Sequence, residues 1–364
     1  MREARNSKKI LIATGGTGGH IIPAISISKE LQKRGIEILF VGNKNSMEEN
    51  LVKNEAIDFR AIDVQKLYRE FTFSHIKFPF KLLKSISDSK KIIREFKPDA
   101  FLGTGGFVSG PVGYAAHLKN IPIFLQEQNS FPGLTTRKLS KYAQKIFLGN
   151  AGAAKHLKTD KLVVSGNPIN SNVIIENKKI DFEKYRLKKD SFKIFLTGGS
   201  QGSVVLNKTL YPIIEDLISS NIEIIWQIGK YSFDEFYPEI KEIKGIFAFE
   251  FTNEIGKIYN SVDLVICRAG ALTLAEIETK KIPSILVPLP SAAENHQYYN
   301  ALELKNKKVA EIIQQKDLNP EVLKEKIFEM KEKYQEMREN FGESKHLDSA
   351  KIIAEEIISN LKEK

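Results

Sequence analysis

Lys9-Ile10-Leu11-Ile12-Ala13-Thr14-Gly15-Gly16-Thr17-Gly18-Gly19-His20 runs from an apolar strand directly into a glycine turn. The same succession returns at Gly103-Thr104-Gly105-Gly106 and at Thr197-Gly198-Gly199-Ser200-Gln201-Gly202. Glycine has no Cβ, so the backbone N–H groups of such a turn can approach an oxyanion closely. A helix starting just beyond adds unpaired N–H donors and the positive end of its dipole. The chain therefore carries phosphate cradles in both of its halves. A diphosphate-bearing substrate, or two of them, is the ligand class these turns suit.

Outward from the first turn, strand and helix alternate. A helix is predicted over Ile22 to Lys33, stopping at Gly35, and a strand over Ile36 to Val41. Further strands are expected at Ala100–Leu102, Ile123–Leu125, Lys145–Leu148 and Leu162–Val164. Phe192–Leu196 restarts the pattern, followed by a helix through Asn207 to Ile218 and strands at Glu223–Gln227, Gly245–Phe249, Leu264–Ile266 and Ser284–Val287. Such alternation implies an α/β fold with parallel sheets covered by helices on both faces. The repeat of strand, Gly-Gly turn and helix implies two Rossmann-like domains. Their boundary is expected near Gly166-Asn167-Pro168, giving domains at 1–167 and 168–342. An amphipathic helix in 343–364, over Leu347 to Leu361, is expected to pack back on the first domain.

A length of 364 residues leaves room for both domains. No apolar run reaches the roughly 18 to 20 residues of a membrane-spanning helix. The apolar run Ile10 to Ala13 is too short for a secretory signal. The single cysteine, Cys267, allows no internal disulfide, fits a reducing compartment and reads as a small buried strand residue. The net charge of +10 favours polyanionic or anionic-membrane partners, although the lysines are spread along the chain.

Several chemistries are disfavoured by what the motifs lack. A nicotinamide-binding domain places an acid at the end of its second strand, where this chain has Val41-Gly42-Asn43. A Walker motif needs Gly-Lys-Ser/Thr, which does not occur. The histidines show no metal-ligand spacing and there is no Asp-x-Asp, so neither a metal nor another cofactor is expected. A diphosphate would then be neutralised by N–H groups and helix dipoles.

His20, where the first turn becomes a helix, fits either a general base or a phosphate ligand. In Cys267-Arg268-Ala269-Gly270-Ala271-Leu272-Thr273-Leu274-Ala275-Glu276 a strand again ends in a turn. Free N–H groups are expected at Ala271 to Thr273, and Glu276 on the following helix can accept both hydroxyls of a ribose. Pro288 to Gln297, at the end of the next strand, reads as a ligand-side loop. From Arg69 to Lys84, the aromatic and apolar residues Phe71, Phe73, Ile76, Phe78, Phe80 and Leu82 interleave with Arg69, Lys77, Lys81 and Lys84. That composition suits an interfacial membrane contact and equally a packed helix with a solvated lysine face.

Taken together, these residues resemble the MurG family of peptidoglycan glycosyltransferases, which add N-acetylglucosamine to a membrane-anchored muramyl-peptide lipid. The resemblance rests on Gly15-Gly16-Thr17-Gly18-Gly19-His20, Gly105-Gly106-Phe107-Val108-Ser109-Gly110-Pro111, Glu127-Gln128-Asn129, Gly166-Asn167-Pro168, Gly198-Gly199-Ser200-Gln201-Gly202, Cys267 to Thr273 and Asn295-His296-Gln297. They stand in order over nearly the whole chain. The resemblance implies a GT-B fold, two Rossmann-like domains whose parallel sheets face each other across a cleft. It implies UDP-N-acetylglucosamine as donor, undecaprenyl-linked lipid I as acceptor, and inverting, metal-independent transfer to the C4 hydroxyl of the muramyl sugar, giving lipid II. It further implies peripheral attachment to the cytoplasmic face of the bacterial membrane, an anionic surface as partner, other cell-wall synthesis proteins as associates, and no nucleic acid.

By the family pattern the donor contacts fall on Thr17, Gly18, Gly19, Asn129, Asn170, Ser200, Thr252, Ala271, Leu272, Thr273, Leu274, Ala275, Glu276 and Gln297. Glu276 would hold the ribose, Gln297 the sugar and the backbone near Thr252 the uracil. At Asn170 the family commonly has an arginine that touches the donor. His20 would be the base or the ligand of the acceptor pyrophosphate. A diacylglycerol glycosyltransferase would share the donor half and differ in the acceptor face. A UDP-sugar epimerase would need further acid/base groups, and a non-catalytic sugar-nucleotide binder would need neither His20 nor Glu276.

Overall fold

A computed structural model describes residues 7–65, 74–170, 173 and 177–361, leaving out the side chains of residues 74–77. The chain divides into two compact units, Met1–Asn170 with Lys345–Lys364, and Ser171–Ser344. Each is built on its own parallel sheet.

In the first unit the elements run β1 Lys9–Ala13, α1 Gly18–Gln32, β2 Glu37–Asn43, α2 Met47–Asn54, β3 Asp58–Ile62, α3 Ser74–Phe96, β4 Ala100–Gly103, α4 Gly106–Leu118, β5 Ile123–Glu127, α5 Leu134–Leu139, β6 Lys145–Leu148 and β7 Leu162–Val164. The sheet order is β3-β2-β1-β4-β5-β6-β7, so the winding direction reverses between β1 and β4. At such a reversal the loops beyond the strand ends diverge and leave a crevice.

The apolar strands serve two layers because side chains alternate. Ile10 and Ile12 of β1 join Phe40, Phe124 and Phe147 on one face of the sheet. Leu11 and Ala13 join Phe101, Val112 and Ile146 on the other. Each such buried side chain is worth about 1.5 to 3 kcal/mol of transfer free energy. The C-terminal helix α14, Ser349–Ser359, places Ile353, Ala354 and Ile357 in the first of these layers.

The second unit repeats the plan with β8 Phe192–Thr197, α6 Val204–Leu210, α7 Ile214–Ser219, β9 Ile222–Gln227, α8 Phe233–Ile240, β10 Ile246–Phe249, α9 Ile255–Tyr259, β11 Leu264–Cys267, α10 Ala271–Lys280, β12 Ser284–Leu286, α11 His296–Asn306, β13 Ala310–Ile312, α12 Pro320–Glu332 and α13 Tyr334–Glu339. Its order is β10-β9-β8-β11-β12-β13, reversing between β8 and β11. Trp226 on β9 is buried and donates its indole N–H to Asn207 Oδ1 at 2.9 Å, while the Asn207 amide donates to the Ile228 carbonyl.

The two parallel-sheet Rossmann-like units expected from the glycine-turn repeat are present. Three local expectations differ. Helix α1 begins at Gly18, a turn earlier than the apolar periodicity suggests, because the glycines themselves take helical geometry. The single helix expected over Asn207–Ile218 is two, joined by a short 3-10 turn at Tyr211–Ile213, where Pro212 has no N–H to continue the ladder. Strands β3 and β13 are too short and polar to read as strands alone and are edge strands of their sheets.

Candidate active site

The candidate residues cluster at the carboxyl ends of the parallel strands in each unit. In the first, the β1–α1 and β4–α4 turns lie against one another at the reversal point. Gly106 has φ +78°, and a Cβ there would overlap the Gly15 carbonyl oxygen. Only glycine permits that approach. Ser109 ties the two turns by donating to the Ala13 and Gly105 carbonyls at 2.7 and 2.6 Å.

His20 emerges from this junction. Its Nδ1 lies 3.2 Å from Thr17 Oγ1, its carbonyl accepts from Thr104 Oγ1 at 3.0 Å, and its ring edge packs against Gly105. Thr17 is the N-cap of α1 but gives the helix no side-chain cap. Its hydroxyl is engaged with His20, so the first-turn N–H groups of Gly18 and Gly19 receive no cap from it. Two neutral states follow from the Thr17–His20 contact. If Thr17 accepts from Nδ1–H, Nε2 is unprotonated and can act as a base; if it donates, Nε2 carries the proton and can donate to a phosphate oxygen.

At the end of β5, Glu127 is buried and acts as an organiser. It accepts from the Asn129 N–H and side-chain amide, from the Gly133 N–H and from Thr136 Oγ1 at 2.6 Å. Asn129 is therefore held in a fixed pose beside the reversal point. Gln128 donates to the Thr104 carbonyl at 2.7 Å, beneath the His20 turn. Asn167 has a structural task. Its amide donates to the Gln128 carbonyl, its oxygen accepts from Gln126, and its backbone N–H donates to His346 Nδ1 at 2.8 Å. Gly166-Asn167 thus seats the returning C-terminal segment. Asn170 is exposed, at the end of the first unit.

In the second unit, Gly202 at φ +80° lies so close to Ile228 and Gly229 that a Cβ would overlap the Ile228 carbonyl. The turn before it projects Ser200 into solvent, held from behind by Gln227 donating to the Gly199 carbonyl. Helix α10 starts at Ala271 with Gly270 as N-cap and no side-chain cap, leaving the N–H groups of Ala271, Leu272 and Thr273 at its open end. Arg268 braces both turns, donating to Ser203 Oγ, Gln315 Oε1 and the Val287 carbonyl at 3.0, 2.7 and 3.2 Å. Burial lowers the pKa of its guanidinium.

Glu276 is partly buried on α10, and burial pushes its carboxyl up to about 7, against the opposing hydrogen bond from Tyr259. Leu274 and Ala275 are buried, so they supply packing and backbone. Gln297, in the first turn of α11, accepts from the Leu289 N–H at 2.9 Å and is only half-exposed. Asn300 on the same helix donates to the Ala269 carbonyl, joining the two loops. Thr252, beyond β10, accepts from the Glu254 N–H. Cys267 is buried with its thiol pushed up to about 12, which keeps it protonated and inert. Among the described residues no group of three or more His, Cys, Asp or Glu could hold a metal ion.

Thus Thr17, Gly18, Gly19, His20 and Asn129 lie at the strand ends of the first unit, and Ser200, Thr252, Ala271, Leu272, Thr273, Glu276 and Gln297 at those of the second, with Leu274 and Ala275 buried beneath. Sequence reading missed Tyr259, Arg268 and Glu127 as supports. The last two stood inside quoted motifs. Tyr259 had no local signal, because its partner lies on another element.

Two family models match, the glycosyltransferase family 28 N-terminal domain over residues 10–148 and its C-terminal domain over 193–356. The chain belongs to glycosyltransferase family 28. Among curated family 28 relatives it is similar to the UDP-N-acetylglucosamine–N-acetylmuramyl-(pentapeptide) pyrophosphoryl-undecaprenol N-acetylglucosamine transferase of Finegoldia magna, 39% identical over 88% of this chain and 89% of that one. The Bacillus subtilis protein of the same name is 35% identical over 86% and 88%. A crystal structure of MurG from Acinetobacter baumannii superposes with a TM-score of 0.79 at 28% identity, covering 97% of this chain and 99% of that one.

Helix α3 carries the remaining candidates. Phe71 and Phe73 lie outside the described residues, as do the side chains of Ile76 and Lys77. Phe78 is half-buried. Phe80 is 75% exposed and Leu83 66%, flanked by exposed Lys81 and Lys84. Leu83 replaces Leu82 on the outer face, since Leu82 turns partly inward. Among the described residues no helix is long and apolar enough to cross a membrane.

Proposed function

We infer that this family 28 chain transfers N-acetylglucosamine from UDP-N-acetylglucosamine to the muramyl pentapeptide carried on pyrophosphoryl-undecaprenol, forming lipid II for peptidoglycan synthesis. The observation that carries this reading is that relatives bearing that activity in their names match through both units, at 39% and 35% identity.

The second unit is the donor unit. The open N-terminus of α10 and the Ser200 turn receive the diphosphate, and their donors strengthen their hold as the departing UDP gains charge. Glu276 accepts the ribose hydroxyls, Gln297 orients the sugar, and the backbone at Thr252 meets the uracil. The first unit is the acceptor unit. Its Gly18 and Gly19 N–H groups form a second anion cradle beside His20, and Asn129, clamped by Glu127, borders it.

Transfer inverts the anomeric centre. The C4 hydroxyl of the muramyl sugar attacks C1 opposite the UDP oxygen. The C1–O bond to UDP breaks as the new one forms, and the hydroxyl proton passes to His20 Nε2. That step requires Thr17 Oγ1 to accept from His20 Nδ1–H, which leaves Nε2 unprotonated. The exposed face of α3 supports peripheral attachment to an anionic membrane, where a lipid-linked acceptor is held. Turnover of UDP-N-acetylglucosamine with a short-chain lipid I analogue tests the reading. A disaccharide product with the β configuration is expected. UDP release without transfer to that acceptor would overturn it.

A further inference from the structure

On the second unit, the side of the sheet opposite the glycine turns carries a concavity of about 250 Å3. It opens at the amino-terminal edge of β8 and β11, where Lys193 is the second residue of β8 and Asp263 precedes β11. Lys179, Lys189, Lys193, Lys280, Lys281 and Arg338 all line it. Among the lining residues one carboxylate faces them, that of Asp263, whose Oδ2 already accepts from the Lys193 backbone N–H at 2.8 Å; behind the lining, the Glu223 carboxylate accepts from Ser191 Oγ.

The chain forces these cations together. Lys280 and Lys281 end α10, with Lys281 in the left-handed region at φ +55°. Arg338 comes from α13 and donates to Tyr334 Oη at 2.8 Å, so its guanidinium is held at the rim. Lys193 is buried with its ammonium turned onto the Ser191 and Lys189 carbonyls and over the Phe182 ring. Burial lowers its pKa, against the opposing charges of Glu223 and Asp263. Like charges gathered around a low-dielectric concavity repel, and a bound anion removes that cost. Six cationic side chains against one lining carboxylate leave an excess of positive charge that a bound anion would offset.

We propose that this concavity is a second anion site, distinct from the donor site, for a small multiply charged phosphate compound of the diphosphate class. Cations arriving from four separate segments of the chain suit a ligand with charge at both ends better than a single phosphate. The proposal stands independently of the transferase reading, since it concerns binding alone.

The probe is inorganic pyrophosphate, titrated calorimetrically into the full chain saturated with UDP, which fills the donor site of the second unit; the charge reversal K281E/R338E separates the concavity from the Gly18–Gly19 cradle of the first unit. Binding is expected under these conditions, weakening as salt is raised. Inorganic phosphate should bind at least tenfold more weakly. The double variant K281E/R338E should weaken pyrophosphate binding at least tenfold while its UDP affinity stays within twofold. K189Q/K281Q serves the same purpose if that protein fails to fold, with at least a threefold loss expected. Absence of pyrophosphate binding to the UDP-saturated protein, or unchanged binding in a folded variant, overturns the site. Equal affinity for phosphate and pyrophosphate overturns the diphosphate class.

Discussion

Tyr259, at the end of α9, donates its phenolic hydrogen to Glu276 Oε2 on α10 across 3.2 Å, and burial favours the protonated form of both groups. Burial holds the phenol well above its usual range, so it remains a donor throughout the physiological range. Burial also raises the Glu276 carboxyl to about 7, and the phenol's hydrogen bond only partly offsets this. A carboxylate proposed to accept two ribose hydroxyls is thus kept underhydrated in their absence.

The first prediction is that Glu276→Ala weakens UDP binding by about 1.5 to 3 kcal/mol, the usual worth of charge-assisted hydrogen bonds. Because the ionised form accepts both hydroxyls, wild-type affinity should also rise between pH 6 and 8, as the carboxyl loses its proton near 7. Calorimetry at both pH values checks this. Unchanged affinity in a folded Glu276→Ala protein would remove Glu276 from the ribose site.

Stability should move the other way. The folded-state pKa lies above the unfolded value, so wild-type stability is whole below about 4.5 and declines as pH rises through about 7. Glu276→Gln, neutral at every pH, escapes that loss. It should be more stable than wild type by up to about 3 kcal/mol at pH 8, the worth of a carboxyl held at about 7 rather than in its usual range, and nearly equal at pH 4. Urea denaturation at the two pH values decides. A gain independent of pH would mean the cost is not electrostatic.

The Thr17–His20 contact separates the two roles open to His20. As base, His20→Ala should lower kcat about 10²- to 10⁴-fold with donor affinity nearly intact. Thr17→Val, which removes the acceptor for Nδ1–H, should lower kcat about tenfold, the value of one orienting hydrogen bond. It should also displace the acidic limb of the pH–rate profile. A large rise in acceptor KM with kcat preserved would make His20 a pyrophosphate ligand instead.

How much of this was legible beforehand follows from the range of the interactions. The β1, β8 and β11 turns were readable because strand, glycine turn and helix are contiguous, and each strand's apolar residues divide between two cores. Helix α1 was misplaced by a turn because glycine carries no periodicity. Tyr259 and Glu276 lie 17 residues apart and Asn167 and His346 are 179 apart, so nothing local announces either pair. Gly166-Asn167-Pro168 was readable as a motif, but its work of seating the C-terminal segment was not. Leu83 and Leu82 are adjacent apolar residues, and only the helix phase decides which of them faces out.

Chelation supplies a further test. The described residues hold no cluster suited to a metal, and uncapped N–H groups at α1 and α10 are available to the phosphates. EDTA should leave turnover unchanged within twofold. Loss of activity restored by Mg²⁺ or Mn²⁺ would show that the helix ends do not suffice for the leaving diphosphate.

The last prediction concerns α3. Phe80 and Leu83 lie three residues apart, one helical turn, and are 75% and 66% exposed, an apolar pair that water solvates poorly. Lys81 and Lys84 flank them, and each basic residue near an anionic leaflet is worth about 1 kcal/mol. Without a spanning helix among the described residues, attachment through this face would be peripheral and would weaken with salt, as charges beyond a Debye length of about 8 Å at physiological strength are screened. The charge reversal K81E/K84E should therefore lower co-sedimentation with anionic vesicles at least tenfold at low salt. F80S/L83S should weaken it even at high salt, where the apolar contact carries more of the binding. Both variants should keep wild-type UDP affinity, because none of the donor candidates lies on α3. If both sediment with vesicles like the parent chain, the exposed face of α3 is a solvated helix surface and the acceptor must be met elsewhere on the first unit.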